Sequence, residues 1–197
     1  MMKPFAESSL QNWQVIFEVI GPLLKNSESL LEIGSGTGQH AVYISEHQPG
    51  VYWQCSDLAE NHPGIRQWIE ESGLGNIGLP LELDVSQNQW PEESYDAVFS
   101  ANSVHIMGWP EVEAFISGAA RVLKTGGLFL LYGPFNYNGQ FTSESNARFD
   151  QWLKDRNPVS GVRDFEALNK LAKDNGLSFC QDYEMPANNR ILHWVKV

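Results

Sequence analysis

The stretch Leu30-Leu31-Glu32-Ile33-Gly34-Ser35-Gly36-Thr37-Gly38 decides the fold. Leu30, Leu31 and Ile33 form a short apolar run that stops abruptly in glycine, the pattern of a strand buried in a parallel sheet. Gly34, Gly36 and Gly38 alternate where a tight turn without Cβ atoms lets a ligand approach the backbone. From Gln39 to Glu46 the chain reads as helix. A strand, a glycine turn and a helix N-terminus make a nucleotide-type site, because free backbone N–H groups point at whatever lies above the turn. The stretch therefore points to an adenosine-containing cofactor.

The dinucleotide fingerprint G-x-G-x-x-G/A fits this turn poorly. Read from Gly34, its third glycine falls at Gln39; read from Gly36, it passes through Gly38 and Ala41 but starts two residues late. Glu32 adds a constraint, since a carboxylate in an otherwise buried strand needs a partner. A cationic cofactor carrying an amino group would supply one.

Outward from the turn, strand and helix signals alternate. Upstream, Ser8 or Ser9 is placed to cap a first helix with apolar face Leu10, Trp13, Phe17, Ile20 and Leu24, interrupted by Gly21-Pro22. Downstream, residues 51–56 read as a second strand ending at Asp57, residues 63–72 as a helix closed by Gly73, and residues 79–83 as a third strand ending at Asp84. A fourth strand spans 95–100. Pro110 opens a helix that carries Val112, Phe115, Ile116, Ala119, Val122 and Leu123 inward, and Gly126-Gly127 is expected to end it before a fifth strand over 128–132. Two helices, about 144–155 and 163–174, precede two strands, 177–183 and 191–197, joined tightly enough for a hairpin. Five alternations imply a doubly wound parallel sheet with helices on both faces.

Composition fits one domain over 1–197, with 42% hydrophobic and 12% aromatic residues and no stretch approaching a membrane span. No signal-peptide pattern opens the chain, and Cys55 and Cys180, both in apolar runs, read as reduced core residues, so a cytoplasmic location is expected. Residues 1–100 hold 14 acidic and 3 basic side chains, whereas the remainder is balanced at 10 and 10. Such an acidic surface repels phosphate backbones, so nucleic acid is not an expected partner, and without an apolar span no membrane is expected either. The histidines are scattered and no C-x-x-C or H-x-x-x-H pair exists, so no metal is expected.

The string Glu32-Ile-Gly34-Ser-Gly36-Thr-Gly38 resembles the first motif of class I S-adenosylmethionine-dependent methyltransferases, and the resemblance extends over nearly the whole chain. It implies a Rossmann-like, doubly wound, seven-stranded α/β sheet in three layers, mostly parallel with an antiparallel last strand. It also implies S-adenosylmethionine as cofactor. Glu32, Gly34, Gly36 and Gly38 would hold its methionine end. Asp57, followed by Leu58, would take the ribose hydroxyls, and a cis-diol does offer two donors to two carboxylate oxygens. Asp84 and Val85 would meet the adenine, and Asn102 would border the cofactor after the fourth strand. Arg121-Val-Leu-Lys-Thr-Gly126-Gly127 resembles the family's L-K-P-G-G turn, with Thr125 in place of proline. More narrowly, Tyr132-Gly-Pro-Phe135, Arg148-Phe-x-x-Trp152-Leu and Gly161-Val-Arg163-Asp164 resemble a small, poorly characterised methyltransferase-like group. That group carries Arg-Asn near the N-terminus, where this chain has Gln11-Asn12.

The expected activity is methyl transfer to a small-molecule acceptor. In open α/β sheets the ligand lies beyond the carboxyl ends of the strands, which puts the loop 101–107 beside the transferred methyl. His105 is the candidate general base, because its ordinary pKa suits neutral pH. The lack of Asn/Asp-Pro-Pro-Tyr after the fourth strand removes the usual signature for amide or amino nitrogen acceptors. Segment 133–162 is expected to cover the substrate, with Tyr132, Phe135, Tyr137 and Phe141 enclosing it. Asn12 is a further contact, and Arg148 and Arg163 are candidates to hold a carboxylate or, alternatively, surface ion pairs. Phe149, Trp152 and Leu153 read as a helix face packing on the sheet. Two other classes stay open: a non-catalytic sensor of the cofactor or its demethylated product, and an NAD-dependent oxidoreductase using Gly36, Gly38, Ala41 and Asp57.

Overall fold

The computed structural model describes residues 3–87 and 89–197. The chain runs α1 (Glu7–Leu23), β1 (Ser29–Ile33), α2 (Gln39–His47), β2 (Tyr52–Asp57), α3 (His62–Ser72), β3 (Ile77–Glu82), β4 (Tyr95–Ala101), α4 (Trp109–Val122) and β5 (Leu123–Gly133). It continues through β6 (Phe135–Asn136), α5 (Glu144–Arg156), β7 (Arg163–Asp164), α6 (Phe165–Asp174), β8 (Leu177–Met185) and β9 (Asn189–Lys196). The main sheet has seven strands in the order β3-β2-β1-β4-β5-β9-β8, and β6 pairs separately with β7. Strands β1 to β5 are parallel, and β9 enters antiparallel between β5 and β8.

Strand alternation feeds two cores. Leu31, Val98, Phe129, Leu131 and Trp194 pack toward α4 and α6, while Leu30, Trp53, Phe99 and Leu130 pack toward α1, α2 and α3. Burial on both faces explains why the central strands read as near-continuous apolar runs. The reversal of strand order lies between β1 and β4, so their carboxyl ends frame the crevice in which open α/β sheets bind ligands.

Several sequence expectations shift. Helix α1 starts at Glu7 with Ala6 as its N-cap residue and no side-chain cap, so neither Ser8 nor Ser9 caps it. The Gln39 side chain instead fixes the start, accepting from Ala6 N at 2.5 Å and donating to Ala6 O at 3.2 Å. Its inward face is Asn12, Ile16 and Ile20, with Leu10 exposed, and Pro22 lies within the last turn without ending the helix. Gly126-Gly127 does not end α4. Leu123 already pairs with Tyr95, and the glycines form a bulge before Leu128 takes up register with Ala97. Cys180 is exposed on β8, whereas Cys55 is buried, and both are free thiols.

Candidate functional site

The glycine turn after β1 reaches left-handed backbone at Gly34 (φ 76°), Gly36 (φ 59°) and Gly38 (φ 88°). The three glycines have different tasks. A Cβ on Gly34 would strike Ser103 Oγ at 2.7 Å, and one on Gly38 would press on the Ile65 backbone at 3.1 Å. At Gly36 it would meet nothing within 4 Å, because it would project into open cavity. Gly36 N is held by Asp57 Oδ2 at 2.6 Å, which ties the turn to the end of β2. Asp57 Oδ1 accepts from Leu58 N (2.7 Å) and Asn61 Nδ2 (2.8 Å). With three donors on about four lone-pair sites, Asp57 retains room for one more donor on Oδ2.

Two cavities open on this turn. One, of about 480 Å³, is lined by Gly34, Gly36, Asp57, Leu58, Asp84, Val85, Asn102 and Ile106, among others. The other, of about 400 Å³, lies over Ser35, Thr37, His40 and Asn61. Asp84 lies just past β3, where Ser86 Oγ, Ser86 N and the Gln87 amide donate to it and hold its pKa below the usual carboxylate range. Both aspartates expected from the sequence thus stand on the wall of one cavity.

Glu32 lines none of these cavities. It is 1% exposed beneath the turn, and burial pushes its pKa up to about 7. Its partners are Ser35 Oγ at 2.8 Å and Trp53 Nε1 at 3.0 Å, so the need for a partner is met inside the protein. The expectation that a cofactor amino group neutralises Glu32 is corrected accordingly. Trp53 was the missed partner, and the strand alternation that points both side chains toward the same core was its only sequence signal.

A third cavity, of about 490 Å³, adjoins the first. Asn102 borders all three, and Ile106 borders the first and third. Asn102 has φ 57°, a left-handed conformation that Asn tolerates better than most residues, and this turns the chain out of β4. The third cavity is lined by Ser8, Gln11, Asn12 and Val15 of α1, by His105, Tyr132, Phe149, Trp152 and Leu153, and by the β8–β9 turn at Pro186, Ala187 and Asn189. The four α1 residues follow i, i+3, i+4, i+7 spacing, which makes them one helix face. That spacing was available in the sequence and was missed.

Sequence-predicted acceptor residues divide here. Asn12, Tyr132 and His105 line the cavity. Asn12 Oδ1 accepts from His40 Nε2 at 2.7 Å and its side chain hydrogen-bonds the Tyr132 hydroxyl, joining α2 to the acceptor wall. Phe149, Trp152 and Leu153 do not pack on the sheet as expected but line the cavity, and Trp152 is 51% exposed. Phe135 is buried in the core, Tyr137 bonds Asp182, and Phe141 is exposed on the surface. Arg148 is exposed and pairs with Glu144 across one turn of α5. Arg163 donates Nε to Val104 O at 3.0 Å and Nη2 to Val159 O at 2.9 Å and to Met107 O. Its guanidinium is engaged by backbone, so neither arginine lies where a carboxylate in this cavity could meet it.

His105 is 4% exposed, and its ring meets Phe149 edge-on at 5.2 Å. Nδ1 is enclosed without a hydrogen-bond partner among the described residues. Burial, and then the charge of Arg163, push its pKa down to about 4, so the ring is neutral at pH 7 and is a weaker base than an ordinary histidine. Among the described residues no group of three or more His, Cys, Asp or Glu side chains could hold a metal, and no helix is long and apolar enough to cross a membrane.

The sheet order and the glycine turn at the β1 end define the Rossmann-like fold of class I S-adenosylmethionine methyltransferases. An O-methyltransferase family protein from Burkholderia thailandensis superposes with a TM-score of 0.86, covering 96% of this chain and 56% of that one at 17% identity. The apo S-adenosylmethionine-dependent methyltransferase SibL gives 0.81, covering 96% and 55%, also at 17% identity. The chain belongs to the family described as "Protein of unknown function (DUF938)", which it matches over residues 3–196. In sequence it is 29% identical over 102 residues to a fatty-acid O-methyltransferase of Mycolicibacterium smegmatis, which takes in 51% of this chain and 35% of that protein. It is 32% identical over 111 residues to the uncharacterized methyltransferase C70.08c of Schizosaccharomyces pombe, taking in 54% and 40%. The chain therefore spans less than half the length of these two relatives.

Proposed function

We propose that this protein is an S-adenosylmethionine-dependent methyltransferase acting on a small-molecule acceptor. The observation that carries the reading is the junction at Asn102, where the cavity over Asp57 and Asp84 meets the one over His105 and Tyr132. When bound, S-adenosylmethionine supplies a methyl group already activated on a sulfonium, so the protein's work is alignment and proton handling. Gly36 leaves the turn bare for the methionine end, and Gly34 lets the turn pack against Ser103 beside it. Asp57 receives the ribose hydroxyls, one on the free Oδ2 site and the other in place of the Asn61 amide. Asp84, Val85 and Leu58 border the adenine. His105 stands at the acceptor, and segment 133–162 closes that side through α5.

Calorimetric titration with S-adenosylmethionine, S-adenosylhomocysteine and NAD tests this reading. The two adenosyl sulfur compounds should bind and NAD should not. Asp57→Asn removes a charged acceptor while preserving shape, and should weaken both by about 10- to 100-fold, the worth of one charge-assisted hydrogen bond. NAD binding alone would redirect the reading to hydride chemistry.

A further inference from the structure

We infer that the acceptor is an uncharged, flat ring compound presenting a hydroxyl group to His105; this deepens the methyltransferase reading and rests on it. Among the described residues, no Asp, Glu, Lys or Arg lines the third cavity. A carboxylate or ammonium taken into it would lose its water without gaining an opposite charge from the wall. Of the arginines close in sequence to the lining residues, Arg148 pairs with Glu144, Arg190 with Asp182, Arg163 donates to three backbone carbonyls, and Arg156 lies over the Trp152 ring, 4.6 Å from its centroid.

The shape of the wall argues for a flat body. Phe149 and Trp152 lie one turn apart on α5 with near-parallel rings, 5.8 Å between centroids and 16° between planes. Both rings border the cavity, so its α5 side is an aromatic shelf. Offset stacking on such a shelf favours a planar ring over a flexible alkyl chain, which would also lose rotamer freedom there.

The hydroxyl follows from the end nearest the cofactor cavity. Asn102 borders both cavities and His105 the acceptor cavity, and a Cβ on Gly133 would lie 3.7 Å from Asn102 Oδ1 and 3.8 Å from His105 Nδ1, so the imidazole is set beside Asn102 with Nδ1 turned toward the Gly133 backbone. Because Nδ1 is enclosed, Nε2 is the nitrogen left to meet a ligand. A neutral amine attacks with its lone pair already free, whereas a hydroxyl must shed a proton, which gives a neutral imidazole a task. The acceptor oxygen forms its bond to the methyl carbon as the carbon–sulfur bond breaks. Sulfur keeps that electron pair, and the hydroxyl proton passes to His105 and then to water.

Naphthol and naphthoate, one neutral and one anionic at neutral pH, share a ring system and serve as probes. Each is titrated by calorimetry into protein saturated with S-adenosylhomocysteine. Naphthol should bind about tenfold more tightly than naphthoate. Trp152→Ala, at a half-exposed position where folding is not at stake, should weaken naphthol about three- to tenfold and leave S-adenosylhomocysteine affinity unchanged. Naphthoate binding as tightly as naphthol, no binding of either, or indifference to Trp152→Ala would overturn the acceptor class while the cofactor reading stands. Failure of S-adenosylhomocysteine itself to bind would sink the cofactor reading, and the acceptor class with it.

Discussion

Glu32 receives both of its donors, Ser35 Oγ and Trp53 Nε1, on the single oxygen Oε2. That arrangement suits a protonated carboxyl, which needs only one oxygen as acceptor, and it agrees with a pKa raised by burial to about 7. The unfolded chain releases this proton near 4.5, so between that value and about 7 the folded state binds more protons and stability falls as pH rises. The full loss is roughly 3 kcal/mol. Glu32→Gln keeps a carbonyl for both donors and removes the titration. Relative to the wild type, the variant should gain stability as pH rises from about 5 to about 8, read as the difference in urea midpoints. A constant difference would mean that Glu32 is ionised throughout. The carboxylate's place in the strand was legible in the sequence. Its partner was not, because pairing Leu31 with Gln54 and Glu32 with Cys55 is a matter of register between β1 and β2, which no local pattern encodes.

At the scale of elements, the loop after β4 is held by another segment as well as by its own bonds from Ile106 N to Ser103 O and from Ser103 Oγ to Ala101 O. Arg163 in β7 clamps Val104 and Met107 while also reaching Val159, Ser160 Oγ donates to Ile106 O at 2.9 Å, and Gly161 N donates to His105 O at 2.8 Å. The fork of a guanidinium can reach several carbonyls at fixed angles, and a lysine ammonium cannot reproduce it. Arg163→Lys should therefore speed amide hydrogen exchange in 102–107 by about tenfold, corresponding to roughly 1–2 kcal/mol of local stability, with exchange in β1 and β5 unchanged. Equal acceleration throughout the sheet would assign Arg163 to global stability instead. Elements themselves were readable wherever period and punctuation agreed. Helix α4 buries Val112, Phe115, Ile116 and Ala119 as its spacing required, and Gly73 closes α3 in left-handed conformation. Spacing identifies an apolar face without saying what it faces, so Phe149 and Trp152 were read as sheet packing when they border a cavity. Glycine pairs are similarly ambiguous, and Gly126-Gly127 proved to be a bulge within β5.

For the whole molecule, buried titrations set opposing slopes, with the pKa of His193 also lowered by burial in the same sense as those of His40 and His105. His40 and His105 are each lowered to about 4, chiefly by burial, from an ordinary 6.5. Between those values the unfolded state binds more protons, so each histidine contributes stability that is fully present above about 6.5 and is lost as pH falls toward 4, roughly 3 kcal/mol apiece. Glu32 acts in the opposite sense between 4.5 and about 7. The lowered imidazoles outweigh the one carboxyl through about 6.5, and the two effects balance near 7, so the curve should peak near pH 7. The net charge of −11, concentrated in residues 1–100, adds repulsion as pH rises and steepens the alkaline side at low salt. Urea midpoints taken from about pH 4.5 to about 8 test this. His40→Gln should leave a much shallower acid limb, because only His105 and His193 then oppose Glu32. A wild-type midpoint that is level below 6.5, or highest at the acid end, would mean that the imidazoles titrate near their ordinary value. Water would then reach the Asn12–His40 contact and the floor of the acceptor cavity, and the dry, uncharged wall on which acceptor selection depends would not exist.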